Sequence, residues 1–313
     1  MSLAHIVSLL GGDLYDGGRR ALVAAPGHSR ADRSVSLLFD GTRLIIHGFG
    51  ATDWRMVRDH LQAQGLIDGR NRLCAAGVGG APVREIRARG GARRPVQVRV
   101  WAAQALWAEA RPLQEGDLVN EHLRRRSVSP PKGGKALRFH PAAPLSVYQP
   151  DRRACPAMMA GVQAPDGRLT SVEVLYLAAG GRVARLALPR KLVGLAPTGS
   201  AVRLMRQGET MLVGEGVVTT LSAMARFNLP GWALLSAGNL ARWTPPEAAR
   251  RILIAGDRGV AGQAAALRLQ ARLIAMGLEA RVRLPPSGFG DWNDAAMQKG
   301  REEGRGGAPT RRG

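Results

Sequence analysis

Four carboxylates in the last third of the chain follow predicted strands and could support metal-dependent chemistry. Glu215 follows the apolar run MLVG, Asp257 follows ILIAG, and Asp291 follows RVRLP and its loop, with Asp294 one helical turn later. Open α/β sheets bind ligands at the carboxyl ends of their strands, so we expect these side chains to meet there. Oxygen ligands suit Mg²⁺ or Mn²⁺, and such a site suits phosphoryl or nucleotidyl transfer.

Helix capping is the alternative role for two of these carboxylates. Asp291 could be the N-cap of the last helix, and Asp257 could cap the helix predicted to follow it. Glu215 has fewer structural uses at a strand end. Convergence of the Glu215, Asp257 and Asp291 oxygens within a few ångströms would favour the metal site, whereas oxygens that splay apart would argue against an enzyme.

The elements around these residues alternate regularly. Strands are predicted at 209–214, 232–237, 250–257 and 279–285. Helices are predicted from about 217 to 227, from 261 to 276, and from 291 onward. Strands that alternate with helices indicate a doubly wound parallel sheet with right-handed crossovers.

The region upstream is predicted to be mixed α+β. A small hairpin-rich module (20–50, with a turn at Asp40-Gly41) and a helix at 53–66 come first. A helix over about 97–126, a Pro-rich loop over 127–150 and antiparallel strands at 157–163, 171–178 and 182–188 follow. The predicted domain boundaries are 1–74, a linker at 75–96, a middle region at 97–204, the α/β domain at 205–299, and a disordered tail at 300–313.

Charge indicates a polyanionic partner. The 313 residues include 45 Lys and Arg against 24 Asp and Glu, a net charge of +21, and residues 1–204 carry most of the surplus. Nucleic acid is the usual partner for such an excess, although a basic surface without a specific partner is the alternative. The candidate nucleic-acid-binding residues are Arg124, Arg125, Arg126, Arg190, Lys191 and Arg258.

Composition excludes several classes of protein. Hydrophobic residues make up 45%, which excludes global disorder, and no apolar run is long enough to span a membrane. No leader opens the chain, so we expect a soluble, cytoplasmic protein. The two cysteines have no partner motif, and Lys132-Gly133-Gly134-Lys135 lacks the frame of a P-loop, which excludes a helicase motor in this chain.

The sequence around the carboxylates resembles the Toprim domain of phage- and plasmid-type DNA primases. The matching segments are 212–216 (LVGEG), 219–222 (TTLS), 235–240 (LSAGNL), 253–257 (LIAGD) and 290–294 (GDWND). The resemblance implies that Glu215 is the acid/base residue and that Asp257 and Asp291 lie in or near a Mg²⁺ site. One departure is Gly259, which replaces the second acid of the family's Asp-x-Asp motif.

Upstream segments carry fainter resemblances to the same primases. Residues 25–53 are similar to a zinc ribbon, but Ala25, Gly48 and Ala51 stand where its cysteines would be, and only His28 remains as a ligand. Tetrahedral zinc needs four ligands, so we expect no zinc. The middle region is similar to the segment that precedes Toprim in these proteins, at 120–126, 137–140 and 165–168.

These resemblances imply a primase-like enzyme that makes RNA primers on single-stranded DNA from nucleotides, in replication of a mobile element. The alternative is a non-catalytic DNA-binding replication or transfer factor with a degenerate Toprim site, which Gly259 favours. A Toprim nuclease is a third reading, which the upstream primase-like segments argue against. A separate replicative helicase is left open as a partner.

Overall fold

The computed structural model describes residues 2–28, 30, 32–48, 53–74, 95–148, 153–186 and 188–306. The chain forms two compact units, Met1–Arg94 and Pro95–Gly313. The predicted linker at 75–96 lies outside the described residues except for its last two.

The first unit is a four-stranded antiparallel meander with two helices. Its elements are α1 (Leu3–Leu10), β1 (Gly12–Tyr15), β2 (Arg20–Val23), β3 (Val35–Phe39), β4 (Leu44–Gly48) and α2 (Trp54–Ala63), with strand order β1-β2-β3-β4. The hairpin predicted at Asp40-Gly41 is confirmed, because the Asp40 carboxylate accepts from the amides of Thr42 and Arg43 at the turn. Asp53 caps α2 as predicted, by accepting from the Arg55 amide.

Two elements of this unit were not predicted. Helix α1 and strand β1 precede the region where alternation is visible in the sequence. Leu3 and Ile6 of α1 are buried in the core that the meander forms with α2. The first helix therefore contributes to the hydrophobic core of this unit.

The second unit opens with an antiparallel sheet and two helices. Its elements are α3 (Val96–Glu109), β5 (Arg111–Pro112), α4 (Leu118–Arg125), β6 (Leu137–Pro144), β7 (Ala154–Gln163), β8 (Leu169–Ala178), β9 (Arg182–Val183) and β10 (Arg190–Gly194). The strand order is β10-β8-β7-β6-β5, and β9 also pairs with β8. The strands predicted at 157–163 and 171–178 are confirmed, whereas the one at 182–188 is limited to two residues.

The single helix predicted over 97–126 is wrong. The chain leaves α3 at Ala110 and enters α4 at Leu118, because Pro112 lacks an amide hydrogen and Gly116 adopts a φ of 83°. Asp117 holds this break, since its carboxylate accepts from the Gln114 amide and pairs with the guanidinium of Arg111.

The loop predicted over 127–150 is also wrong in part, because it contains β6. A register shift between His140 and Ala143 surrounds Pro141, and this bulge hides the alternation of the strand. Strand β6 nonetheless pairs with β7 on both sides of the bulge.

The predicted doubly wound parallel sheet is confirmed. It consists of β11 (Val202–Arg203), β12 (Thr210–Gly214), α5 (Val217–Phe227), β13 (Gly231–Ala233), α6 (Ala237–Leu240), β14 (Arg251–Ala255), α7 (Val260–Ala275), β15 (Glu279–Arg283) and α8 (Trp292–Gly306). The strand order is β11-β13-β12-β14-β15, in which β11 is an antiparallel edge strand and the other four are parallel. Alternate residues of β12 face opposite helices: Leu212 packs with α5 and α8, and Met211 and Val213 pack with α7.

The middle region and the parallel-sheet domain share one core, although the sequence suggested a boundary at 204/205. Buried residues of α4, β6 and β7 belong to the same cluster as residues of β12, α5 and α8. Representative members are Leu123, Phe139, Met158, Leu212, Leu221 and Trp292. The two regions therefore stabilise each other.

The disordered tail predicted from residue 300 is wrong for residues 300–306, which are helical. Helix α8 continues to Gly306, and Gln298 donates to the Glu302 carboxylate one turn further along, a pairing that supports a helix. Residues 307–313 lie outside the described residues. No helix within the described ranges is both long and apolar enough to span a bilayer.

Candidate active site at the carboxyl ends of the parallel strands

Glu215 and Asp257 follow two neighbouring strands. Strands β12 and β14 pair in parallel with Gly214 opposite Ala255, so the residues just beyond them lie at the same edge of the sheet. Gly214 allows α5 to begin at once, because a Cβ there would lie 2.6 Å from Oγ1 of Thr220. The sequence order of strand, Glu-Gly and helix therefore places Glu215 at the carboxyl end of β12.

Glu215 is half-buried at this edge. Burial raises the pKa of its carboxyl, and a hydrogen bond from the Ala237 backbone partly offsets the rise. The main-chain oxygen of Glu215 also accepts from the Leu235 amide at 2.7 Å, which ties the end of β13 to the same place. A carboxylate with a raised pKa is a better base than a solvated one.

Asp257 is the most strongly perturbed carboxylate of the site. Burial, followed by the negative charges of Glu215, Asp291 and Asp294, raises its pKa to about 7. Its Oδ1 atom is buried and has no hydrogen-bond partner in the described part of the chain. The N-cap of α7 is Gly259, and no side chain caps this helix. Asp257 therefore does not have the capping role considered for it.

Asp291 does have the capping role considered for it. Its Oδ1 accepts from the amides of Asn293 and Asp294, both at 2.8 Å, at the start of α8. Its Oδ2 accepts from Oγ1 of Thr219 at 3.3 Å. Asp291 therefore contributes negative charge near Asp257 while its oxygens hold α8 against α5.

A divalent cation would have few protein ligands at this site. Among the described residues, no three His, Cys, Asp or Glu side chains lie close enough together to hold a metal ion, so the convergence expected from the sequence is not found, and Glu215, Asp291 and Asp294 act on Asp257 through their charges. Mg²⁺, however, is usually held by one or two carboxylates together with water and substrate phosphates. An unpartnered Asp257 oxygen in a field of carboxylates fits that kind of site.

Asn293 connects α8 to the end of α4, a contact that the sequence did not predict. Its side chain is fully buried, and its Nδ2 donates to the Arg126 carbonyl at 2.6 Å and to Oγ of Ser222 at 3.0 Å. The next residue back, Trp292, packs edge-on against Phe227 at 5.0 Å. The sequence shows that Asn293 stands between Asp291 and Asp294 in a polar motif. It does not show that the Arg126 carbonyl is its hydrogen-bond partner.

Three of the predicted basic residues lie near one another. The pKa of the buried His122 imidazole is lowered. Burial is the largest cause, and the positive charges of Arg126, Arg190 and Arg125 lower it further. His122 Nδ1 lies 2.9 Å from the Gly181 carbonyl oxygen. We call Arg125, Arg126 and Arg190 the arginine cluster. Arg124 is exposed on the same helix end.

The other two basic candidates make internal contacts. Lys191 Nζ donates to the carbonyls of Pro144 (3.4 Å) and Leu145 (3.0 Å) and lies 5.0 Å from the centre of the Tyr176 ring. Arg258 Nε donates to the Pro285 carbonyl at 2.9 Å and so helps to hold the loop before Asp291. The Lys191 ammonium is thus held by main-chain carbonyls, whereas the Arg258 side chain is exposed next to Asp257.

The ribbon-like region of the first unit is held by a carboxylate. Oδ2 of Asp32 accepts from the Ala25 amide at 3.1 Å and from Ser34 Oγ at 2.5 Å, and His28 Nδ1 lies 3.0 Å from it. Ala51 lies outside the described residues. This hydrogen-bond network orders the loop in which the resemblance places a zinc ligand.

Comparison with known families identifies the class of this site. Residues 210–302 match the family model described as Toprim domain, as the motifs predicted, so the carboxylates belong to a Toprim domain. Residues 97–204 match a second model, which is described as a domain of unknown function (DUF7146). A search of curated proteins gives no match.

Solved primase structures are similar to the chain at low sequence identity. The zinc-binding and RNA polymerase domains of the Aquifex aeolicus primase align with a TM-score of 0.45 and 13% identity, over 97% of this chain and 82% of that one. The DnaG primase catalytic domain bound to ssDNA gives 0.46 and 14%, over 67% and 80%. The primase fragment of the bacteriophage T7 primase-helicase gives 0.35 and 17%, over 49% of this chain and 62% of that one.

Proposed function

We propose that the chain is a primase-like Toprim protein that joins ribonucleotides on a single-stranded DNA template. The observation that carries this proposal is the buried, unpartnered Oδ1 of Asp257, surrounded by the negative charges of Glu215, Asp291 and Asp294. Buried carboxylates with like charges nearby are costly unless a proton or a cation binds them. This cost supports a cation site at Asp257.

The roles of the carboxylates follow from their surroundings. Asp257, together with Glu215, would hold Mg²⁺ or Mn²⁺. When bound, the ion would neutralise charge on the phosphates of the incoming nucleotide. Glu215, whose pKa is raised by burial, would accept the proton of the attacking 3′-hydroxyl. Asp291 would keep α8 in place while adding negative charge.

The arginine cluster would bind template or primer phosphates. The Asn293–Arg126 hydrogen bond supports this assignment, since it fixes the end of α4 beside the start of α8, where Asp291 lies. Arginines on a protein surface contact strand phosphates without reading sequence. The motif resemblance to phage and plasmid primases supports replication of a mobile element in the cytoplasm, with a separate helicase as a further partner.

Ribonucleotide incorporation on single-stranded DNA tests this function. We expect the wild-type chain to incorporate labelled ribonucleotides with Mg²⁺ or Mn²⁺, and Glu215→Gln to lose activity by about 10²-fold or more, because a general base is removed. Glu209→Gln is the matched control. Glu209 lies just before β12, is exposed and pairs with Arg251 at 3.5 Å, so its loss should leave incorporation unchanged.

A non-catalytic DNA-binding factor is the second candidate function. Gly259 supplies no carboxylate where the family's second acid stands, and the Asp291 oxygens are occupied by capping bonds. If the wild-type chain incorporates nothing while it and Glu215→Gln bind single-stranded DNA equally and with the same salt dependence, this second function is the correct one.

A further inference from the structure

A positively charged cavity lies beside β11, the antiparallel edge strand of the Toprim sheet. It has a volume of about 320 Å³, and its walls come from the end of α3, the 133–136 loop, the start of β8 and the 203–207 segment that precedes β12. Arg203 lies in β11, the edge strand that β13 separates from β12, and none of the four carboxylates lines the cavity. The cavity is therefore separate from the candidate active site.

Three cations line this cavity, and none of the described residues in its walls is acidic. The cations are Lys135, Arg203 and Arg206. Lys135 and Arg206 are exposed, and neither takes part in an ion pair or side-chain hydrogen bond within the described part of the chain. A concave surface with several positive charges attracts an anion more strongly than scattered surface charges do.

Arg203 is held rigidly in the cavity wall. Its Nη2 donates to the carbonyls of Ala164 (3.0 Å) and Pro165 (3.1 Å), and its guanidinium lies 4.6 Å from the centre of the Trp232 ring. Its buried Nε has no partner among the described residues. These contacts fix the position of the charge. The Asp166 carboxylate acts on Arg203 through its charge but pairs with Arg168, so a bound anion would still stabilise the Arg203 guanidinium.

An indole ring forms the apolar part of the wall. Trp107 is held by Arg138, whose guanidinium lies 4.4 Å from the ring centre and whose Nη1 donates to the Trp107 carbonyl at 2.8 Å. Gly161 makes room for the ring, since a Cβ at this position would lie 2.9 Å from it. Gly134 is similarly confined, with Pro131 O at 3.0 Å from its would-be Cβ. The glycines thus keep the cavity open and let a ligand approach the backbone.

We propose that this cavity is a second nucleotide-binding site, in which phosphates bind Lys135, Arg203 and Arg206 and the base packs against Trp107. Its size falls within the usual range for small-ligand sites, and base–indole packing combined with cationic side chains matches a nucleotide. The ligand has two sources, a free nucleotide or one nucleotide of a bound strand. The proposal goes beyond the proposed function, because the cavity shares no residue with the carboxylate site.

Nucleotide binding without divalent metal tests the site. The full-length chain is titrated with labelled ATP by equilibrium dialysis and with a labelled oligo-dT by fluorescence anisotropy, both in EDTA. Lys135→Gln/Arg206→Gln should weaken binding about tenfold or more. The matched control is Arg268→Gln/Arg281→Gln, which removes two exposed arginines on α7 and β15 and the same net charge. It should weaken binding less than twofold.

The outcomes separate the two sources of the ligand. If Lys135→Gln/Arg206→Gln loses binding of ATP only, the ligand is a free nucleotide. If it loses binding of oligo-dT only, the ligand is a nucleotide within a strand. Equal weakening in both double variants, or no binding of either probe by the wild type, would overturn the proposal.

Discussion

The side-chain amide of Asn293 donates a 2.6 Å hydrogen bond to the main-chain carbonyl of Arg126. The two residues are 167 positions apart in the chain, yet this bond fixes the C-terminal end of α4 against the N-terminal end of α8. The start of α8, where Asp291 lies, and the end of α4, where Arg125 and Arg126 lie, are therefore held together.

Asn293→Ala should destabilise the protein and weaken its binding to single-stranded DNA. The Arg126 carbonyl would lose its partner at a buried position, which costs about 1–3 kcal/mol. Urea denaturation measures the free energy of unfolding, and anisotropy measures DNA affinity. Asn120→Ala is the control, because Asn120 also donates to a carbonyl, that of Gln114, but at an exposed position. Equal stability of the two variants would contradict this role of Asn293.

Arg125→Gln/Arg190→Gln should weaken DNA binding, and Lys191→Gln should not. The two arginines belong to the arginine cluster, whereas the Lys191 ammonium donates to the Pro144 and Leu145 carbonyls. If each arginine contacts one phosphate, the salt dependence of log K on single-stranded DNA should become shallower by about 1.4, from about 0.7 per contact. Lys191→Gln should lower the unfolding midpoint while leaving this slope as in the wild type.

Without divalent metal, the stability of the wild-type chain should fall as the pH rises through the range set by Asp257. In the folded state the pKa of Asp257 is raised to about 7 by burial and by neighbouring carboxylates, against an ordinary value of 3.8. Between these values the folded chain keeps a proton that the unfolded chain has released, so raising the pH favours unfolding. The stabilisation is complete below about pH 4 and is lost as the pH passes 7.

Asp257→Asn removes this titration and provides the test. In EDTA, its melting temperature should exceed that of the wild type by roughly 2 °C or more at pH 8 and should equal it near pH 4. Glu209→Gln, which changes an exposed carboxylate at the other end of β12, should follow the wild type at every pH. A difference between Asp257→Asn and wild type that does not vary with pH would refute the explanation.

The sequence predicted the parts of the fold that depend on local pattern. Alternating strands and helices place Glu215 and Asp257 at one sheet edge, because parallel strands must end there together. The break between α3 and α4 was not predicted, since the stretch that follows it continues a helical pattern. Strand β6 was missed because the bulge around Pro141 interrupts its alternation.

Contacts between distant segments were beyond sequence reasoning. Nothing local to Arg126 indicates that its carbonyl accepts from Asn293, and nothing local to Lys191 indicates that its ammonium is bound by Pro144 and Leu145. The sequence likewise left the role of Asp291 open between a metal ligand and a cap. The structure shows that Asp291 caps α8 through the Asn293 amide and contacts α5 through the Thr219 hydroxyl.

Gly259→Asp should strengthen divalent-metal binding, because it restores a carboxylate where the family's second acid stands. The backbone at Gly259 is extended, with φ 177° and ψ 149°, which any residue adopts, and a Cβ there would meet no atom within 4 Å. Gly259 is also the N-cap of α7, a position where aspartate is preferred over glycine by a few tenths of a kcal/mol. The substitution therefore fits the fold and adds an oxygen ligand near Asp257.

The change in melting temperature with added Mn²⁺ measures this effect. A ligand that binds only the folded state stabilises it by RT ln(1 + [L]/Kd), so a tenfold gain in affinity adds about 1.4 kcal/mol at saturating metal. Gly259→Asn is the control of equal size without the charge, and it should respond to Mn²⁺ as the wild type does. If incorporation is limited by metal affinity, Gly259→Asp should also raise activity at low Mn²⁺. Identical Mn²⁺ responses in Gly259→Asp and Gly259→Asn would show that a carboxylate at position 259 does not contribute to cation binding.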